Sequence, residues 1–209
     1  MKHILTSAIL LASGFIAAQA QLTVSEAFAK APQSVFPLLD TNTRLDMIDY
    51  FRAGMKTESK NALGGGSALL DLSEASMRVK MSDASVDQVF LLPAAGNDTI
   101  IGVIRTVATP GHDSSMTLYT SKWQSVPAAQ KFSAPVLRDW VTDASHLPDV
   151  EAVVPFMLTG YSYDPATSTL TLTNNLKGFL SEDIYEMVSA YMLPSLTYSW
   201  DGRRFTRRK

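Results

Sequence analysis

"VDQVFLLPAAGNDTIIGVIRTVATP", residues 86–110, decides the fold. It holds two runs rich in Val, Ile and Phe, 86–93 and 98–108, split by the turn cluster "PAAGND". Branched and aromatic side chains fit a pleated surface, while Gly, Pro, Asn and Asp punctuate it. The same grammar continues outward on both sides. Upstream, "SMRVKMS" at 76–82 alternates Met77, Val79 and Met81 with Arg78 and Lys80, a period of two. Downstream, "PGHDS" breaks the chain before the run "SSMTLYTSKW" at 114–123. Consecutive strands with short connections predict an antiparallel meander.

Helices flank this block. In "TVSEAFAKAP", Thr23 and Glu26 have capping-box spacing and Pro32 ends the segment. In "FPLLDTNTRLDMIDYF", residues 36–51, Met47, Ile48 and Phe51, continued by Met55, define an apolar helical face. "NALGGGSALL" breaks that pattern and leads into a β-like run. "SAPVLRDWVTD" predicts a short helix with Val136, Leu137, Trp140 and Val141 on one face. "EAVVPFMLTGYSYD" and "TSTLTLTN" flank the turn "DPAT" as two more β runs. "SEDIYEMVSAYML" predicts a helix capped by Ser181, with Ile184, Met187, Val188 and Tyr191 as its stripe. Asp201-Gly202 signals a closing hairpin. The expected class is α+β: mainly antiparallel sheet with three or four short helices. One domain over 21–209 is expected. The helix-then-strands pattern leaves room for two similar halves, 21–130 and 131–209, though no sequence repeat marks them.

The first twenty residues read as a secretory signal peptide. Lys2 and His3 precede an apolar run and the small-residue site Ala18-Gln19-Ala20. The run is too short to span a bilayer. Cleavage after Ala20 would make Gln21 the first mature residue. The chain has no cysteine, which excludes an N-terminal lipid anchor on Cys and any disulfide. The expectation is export to the periplasm or cell surface. Removing 1–20 removes Lys2 and no acid, leaving 17 basic and 20 acidic residues, a net charge of −3. That balance does not suit nucleic acid.

Each hint of chemistry has a structural explanation beside it. "LLDTNT" at 38–43 is one letter from the Asp-Thr-Gly turn of aspartic peptidases. Asn42 stands where the glycine belongs, and no second such motif supplies the partner carboxylate. Asp40, Thr41, Asn42 and Thr43 are expected to cap the following helix. The same stretch departs from a calcium loop at Arg44 and Leu45. "GGGS" at 64–67 lacks the Lys-Ser/Thr of a phosphate loop. His112 and His146 are the histidines left for a serine-type site. His112, Asp113 and Ser114 are adjacent, and neighbouring side chains cannot form a relay with each other. No metal site and no cofactor is expected. Arg203, Arg204, Arg207, Arg208 and Lys209 crowd the last seven positions. They form a candidate binding patch for anionic headgroups or polysaccharide, or a charged edge strand that resists edge-to-edge pairing.

Several longer stretches carry a resemblance: "AFAKAPQSVFPLLDTNTRLDMIDYFRAGM", "LGGGSALLDLSEASMRVKMSDASVDQVFLLP", "DTIIGVIRTVATPGHDSSMTLYTSKW" and "YDPATSTLTLTNNL". Together they resemble a family of exported Bacteroidales proteins, domain of unknown function 3256. The resemblance covers nearly the whole mature chain and implies an exported α+β domain; it names no catalytic residues. It also implies that Asp98-Thr99-Ile100 fits an O-glycosylation pattern of such bacteria, with Thr99 as the attachment site. The expected function is a non-enzymatic binding module with an unknown protein or glycan partner in the envelope. The alternatives are an envelope hydrolase at Asp40 or near His112 or His146, and a structural envelope component.

Overall fold

A computed structural model describes residues 21–95, 98–108 and 110–208. The expected signal peptide, 1–20, lies outside the described residues, as does Lys209. No described helix is long and apolar enough to cross a membrane.

Among the described residues, two antiparallel sheets and five short α-helices make the fold. Helices α1 (Val24–Lys30) and α2 (Thr41–Arg52) come first. Seven strands follow, paired in strict chain order: β1 (Ser59–Lys60), β2 (Gly66–Leu72), β3 (Ser76–Ser82), β4 (Ser85–Pro93), β5 (Thr99–Ala108), β6 (His112–Thr120) and β7 (Ser125–Val126). Then come α3 (Leu137–Trp140), α4 (Leu147–Val153), β8 (Thr159–Asp164), β9 (Thr169–Asn174), α5 (Glu182–Ser189), β10 (Ser195–Trp200) and β11 (Phe205–Arg207). The last four strands form a second sheet in the order β11-β10-β9-β8. The larger sheet lies within 59–126 and the smaller within 159–207. The two differ in strand number and in how their faces are covered.

The decisive stretch forms the centre of the large sheet. β4 and β5 pair along their length, from Ser85↔Val107 to Pro93↔Thr99. Every residue from Asp87 to Leu92 is buried. Val89, Leu91, Ile101 and Val103 pack beneath α1 and α2 with Phe28, Phe36 and Met47. Phe90, Leu92, Ile100 and Ile104 point the other way, onto the second sheet and α3–α5. Side chains alternate across a strand, so these two sets occupy opposite faces. Both faces are covered, which is why the run is nearly continuously apolar. Each large side chain buried here contributes about 1.5–3 kcal/mol.

Gly102 is required by this packing. It lies opposite Phe90 across the β4–β5 pair, and a Cβ there would stand 2.2 Å from the Phe90 ring. The missing side chain lets Phe90 lie over the backbone and stack on Tyr163 of β8, ring centroids 4.5 Å apart.

The helices begin as their capping residues dictate. Thr23 Oγ1 accepts the Glu26 N–H, and Glu26 Oε2 accepts the Thr23 N–H. Asp40 is the N-cap of α2: its Oδ1 accepts the Thr43 N–H at 2.7 Å. Met47 and Ile48 are buried and Phe51 is partly so, but Met55 lies beyond the helix end and is 59 % exposed. Arg44, a charged residue in the first turn, is fully buried. Its guanidinium donates to the Phe28 carbonyl and to Thr41 Oγ1 and lies over the Phe28 and Phe36 rings. Cation–π contact and the last-turn carbonyl of α1 offset its desolvation.

The C-terminal third departs from expectation in four places. Residues 147–153 form α4, where a strand was expected to begin by Glu151; the β run starts only at Thr159. Pro148 in the first helical turn favours that helix. Val136 precedes α3 and is 64 % exposed, so the buried face is carried by Trp140. In α5, Val188 is buried while Met187 turns outward, and Ser181 stands at the N-cap without a side-chain bond. The final hairpin turns through 201–204, not 201–202, because Asp201 Oδ1 accepts the amides of both Arg203 and Arg204.

A polar seam joins the sheets. β8 is an edge strand, and its outward amides would otherwise lack partners. Three side chains of the large sheet accept them. Asp113 Oδ1 takes Thr159 N–H at 3.1 Å, Ser114 Oγ takes Tyr161 N–H at 2.9 Å, and Gln88 Oε1 takes Tyr163 N–H at 3.0 Å. Gln88 Nε2 also donates to the Tyr163 carbonyl at 2.7 Å. One side-chain amide thus pairs with the backbone as a neighbouring strand would.

Candidate binding site

Among the described residues, the small sheet is covered on one face only. Tyr163, Leu170, Leu172, Leu196, Tyr198, Trp200 and Phe205 face the core. Alternation sends the intervening residues to the opposite face. They are Ser162, Thr169, Thr171, Thr173, Ser195, Thr197, Ser199 and Thr206, a field of hydroxyls closed at its borders by Asp164 and Arg208. The register sets them in rows: Thr171 lies opposite Thr197 and Ser162, Thr173 opposite Ser195, and Ser199 opposite Thr169 and Thr206. Ser162, Thr173, Ser195 and Thr206 are exposed, Thr171, Thr197 and Ser199 are half-buried, and Thr169 is buried.

A groove of about 790 Å³ opens at one corner of this sheet, lined by Leu193, Ser195, Leu196, Thr197, Arg207 and Arg208. It forms because β11 pairs only with 198–200, so β10 runs on without it. Arg208 Nε donates to Ser199 Oγ, and the Arg208 amide donates to the Thr197 carbonyl at 2.8 Å. Arg207 turns to α3, where it donates to the Asp139 carbonyl at 2.9 Å and stands 3.5 Å from the Asp139 carboxylate. A second groove of about 360 Å³ lies on the other side of β11, with Lys131, Asp139, Arg204 and Arg207 in its wall. The basic cluster is therefore distributed. Arg207 and Arg208 belong to the first groove, Arg204 and Arg207 to the second, and Arg203 is exposed in the turn. Arg207 commits both terminal nitrogens to Asp139, while Arg203, Arg204 and Arg208 offer N–H donors to carboxylate, sulfate or phosphate oxygens.

The other sequence candidates are engaged elsewhere. The Asp40 carboxyl is held below its usual range, chiefly by the Thr43 amide. Thr41, Asn42 and Thr43 form the first turn of α2. His112 begins β6, and its carbonyl accepts Asn175 Nδ2 at 2.6 Å. Neighbouring Asp113 and Ser114 serve the β8 amides, and Ser114 Oγ also bonds Thr106 Oγ1 at 2.8 Å. His146 stacks on Tyr191 with centroids 3.8 Å apart and lies 3.8 Å from Asp149. Thr99 opens β5 half-buried, opposite Pro93, with its N–H donated to Asp98 Oδ1. Among the described residues, no group of three or more His, Asp or Glu side chains is placed to hold a metal ion.

The hydroxyl face escaped the sequence reading, although its signal is present. "TLTLT" at 169–173 and "SLTYS" at 195–199 put a hydroxyl at every second position. The seam residues Gln88, Asp113 and Ser114 carry no such signal, because their partners lie 46 to 75 residues away.

This architecture defines an α+β protein in which a seven-stranded meander is sandwiched between two helices and a second, half-open sheet. The model of the family described as Protein of unknown function (DUF3256) matches residues 15–205, and the chain belongs to that family. The resemblance drawn from its motifs stands. A search of curated proteins finds no match. Among solved structures, the chain is similar to a domain of an uncharacterized protein from Porphyromonas gingivalis W83. That similarity has a TM-score of 0.77 at 22% identity and covers 88% of this chain and 97% of that one. At such identity the likeness concerns the fold.

Proposed function

We propose that this is an exported envelope protein that works by binding, and that its ligand is an anionic glycan held on the open face of the small sheet. The observation that supports the reading is the corner groove. There the hydroxyls of Ser195 and Thr197 meet Arg207 and Arg208 in a recess of about 790 Å³. Rows of hydroxyls exchange hydrogen bonds with sugar hydroxyls, and the Arg208 guanidinium pairs with acidic substituents. A hydrolase at Asp40, His112 or His146 gains no support from geometry, since the neighbouring polar atoms already serve caps and backbone amides. Thr99 stays a proposed attachment site for a glycan.

The test uses the full mature chain in affinity electrophoresis through polygalacturonate, a linear acidic polysaccharide, with neutral dextran as control. Retardation by the acidic polymer alone is expected, weakening with salt as surface ion contacts are screened. Arg208→Ser is expected to reduce it by a factor of about ten, the loss of one charge-assisted contact. Equal mobility in both gels, or retardation untouched by Arg208→Ser, overturns the reading. Retention on envelope proteins in place of the glycan redirects it to a protein partner.

A further inference from the structure

Tyr163 ends in an unpaired hydroxyl. The residue is 2 % exposed, and among the described residues its Oη is one of three buried side-chain polar atoms without a hydrogen-bond partner. The ring is not free to turn toward one, because it stacks on Phe90 and meets Phe205 edge-on at 6.0 Å. Burial keeps the phenol's pKa above its ordinary value. The Ser168 hydroxyl opposes that rise in part, though no hydrogen bond of ordinary geometry joins the two. Ser168 is itself an anomaly. Its φ of +52° lies in the left-handed region, which glycine adopts with less strain. Both residues line one crevice of about 240 Å³, where the start of α1, the β4–β5 end of the large sheet and the β8–β9 turn converge. A ring without the hydroxyl, and a turn residue without a Cβ, would serve the fold at least as well. Two local costs to stability at one recess mark a place kept for something other than folding.

We infer that this crevice binds one neutral sugar residue, free or at the end of a chain. Its volume lies below the roughly 300–1,000 Å³ of sites for drug-sized ligands and suits a single pyranose. Leu91, Pro93 and Pro165 supply apolar walls for the C–H face of a sugar ring. Glu74 at the rim brings a carboxylate, which accepts hydrogen bonds from adjacent sugar hydroxyls. A sugar hydroxyl both donates and accepts, so one such group can serve the Ser168 hydroxyl and the Tyr163 phenol together. Among the described residues, no Lys, Arg or His lines the crevice, so an anion would face Glu74 without compensation. An ammonium would pair with Glu74 but would leave the Tyr163 proton without an acceptor. The corner groove adjoins the opposite end of β10, beside Ser195 and Thr197, so the two sites stand or fall separately.

The experiment titrates the full mature chain with the methyl glycosides of glucose, galactose, mannose and N-acetylglucosamine, followed by protein NMR. At least one is expected to saturate in the millimolar range, with shifts centred on Leu91, Tyr163 and Ser168. Tyr163→Phe and Ser168→Gly are each expected to weaken that binding by a factor of roughly three to ten, the loss of one neutral hydrogen bond. Without sugar, both variants are expected to unfold in urea at the parent midpoint or above it. Saturation by none of the four, or shifts centred away from the crevice, overturns the inference. So does a lower midpoint for Tyr163→Phe, which would make the phenol a structural group. Retardation by polygalacturonate decides the corner groove whichever way these titrations fall. Dextran has few chain ends for its mass, so it stays a fair neutral control there.

Discussion

The two sheets answer the same burial problem differently. β4 and β5 lie between α1–α2 and the second sheet, and their core is an almost unbroken apolar run. β9 and β10 bury one face, and their sequences alternate Leu, Tyr and Trp with Thr and Ser. The lesson is that the spacing of apolar residues reports how many layers cover a strand. The covered centre has no room for change. The open face can vary without loss of fold, which leaves it available for recognition.

The largest expected effect tests the covered centre. Gly102→Val places a side chain where a Cβ alone comes within 2.2 Å of the Phe90 ring. Overpacking of this kind costs about 1–3 kcal/mol, and displacement of the Phe90–Tyr163 stack takes the expected loss to the upper end or beyond. Urea denaturation measures it; an unchanged midpoint would break the comparison.

A second test concerns the charge buried under α1–α2. Asp87 is 4 % exposed and pairs with Arg105 at 3.3 Å, while Arg105 also donates to the Val35 carbonyl. Burial raises the Asp87 carboxyl from 3.8 to about 6, and Arg105 opposes that rise only in part. A folded-state pKa above the unfolded one means that the native state holds the proton more tightly. The stability this provides is complete below pH 3.8 and disappears as pH rises through about 6. The change is on the order of 2–3 kcal/mol at most, because each tenfold gain in proton affinity is worth about 1.4 kcal/mol. Asp87→Asn is expected to flatten the dependence between those limits, read as unfolding free energy against pH. A persistent slope would assign the effect to another group.

The smallest effect belongs to the open face. Thr173→Val, at an exposed position of β9, is expected to change stability by no more than about 0.5 kcal/mol. A loss several times larger would show that this face is covered, and would remove the contrast with β4 and β5.

The sequence made β2 to β6 legible because each of those strands carries its own local signal, whereas the two-residue strands β1 and β7 carry none. Alternation at 76–82, β-branched density at 98–108 and turn clusters between them need no knowledge of distant contacts. Asp40 and Thr23 were legible as caps for the same reason. Arg44 was not. A charged residue on a helix reads as solvent-facing, and nothing local reveals that Phe28 and Phe36 enclose it. α4 is hard to read locally because "EAVV" is apolar enough for a strand, and the helix signal, Pro148, lies upstream of it. The candidate site was half legible. The arginines stood out as a cluster, whereas the groove exists only because β10 outruns β11, a fact of register.

The seam along β8 has a thermodynamic consequence. Its edge amides find their acceptors on Gln88, Asp113 and Ser114, 46 to 75 residues earlier in the chain. A fragment beginning at 131 would carry those amides unsatisfied, beside an apolar face stripped of Phe90, Ile104 and Leu118. The leading fragment would expose the matching surface. Neither sheet is self-sufficient, so melting should be cooperative across the whole fold, with both sheets lost in a single transition.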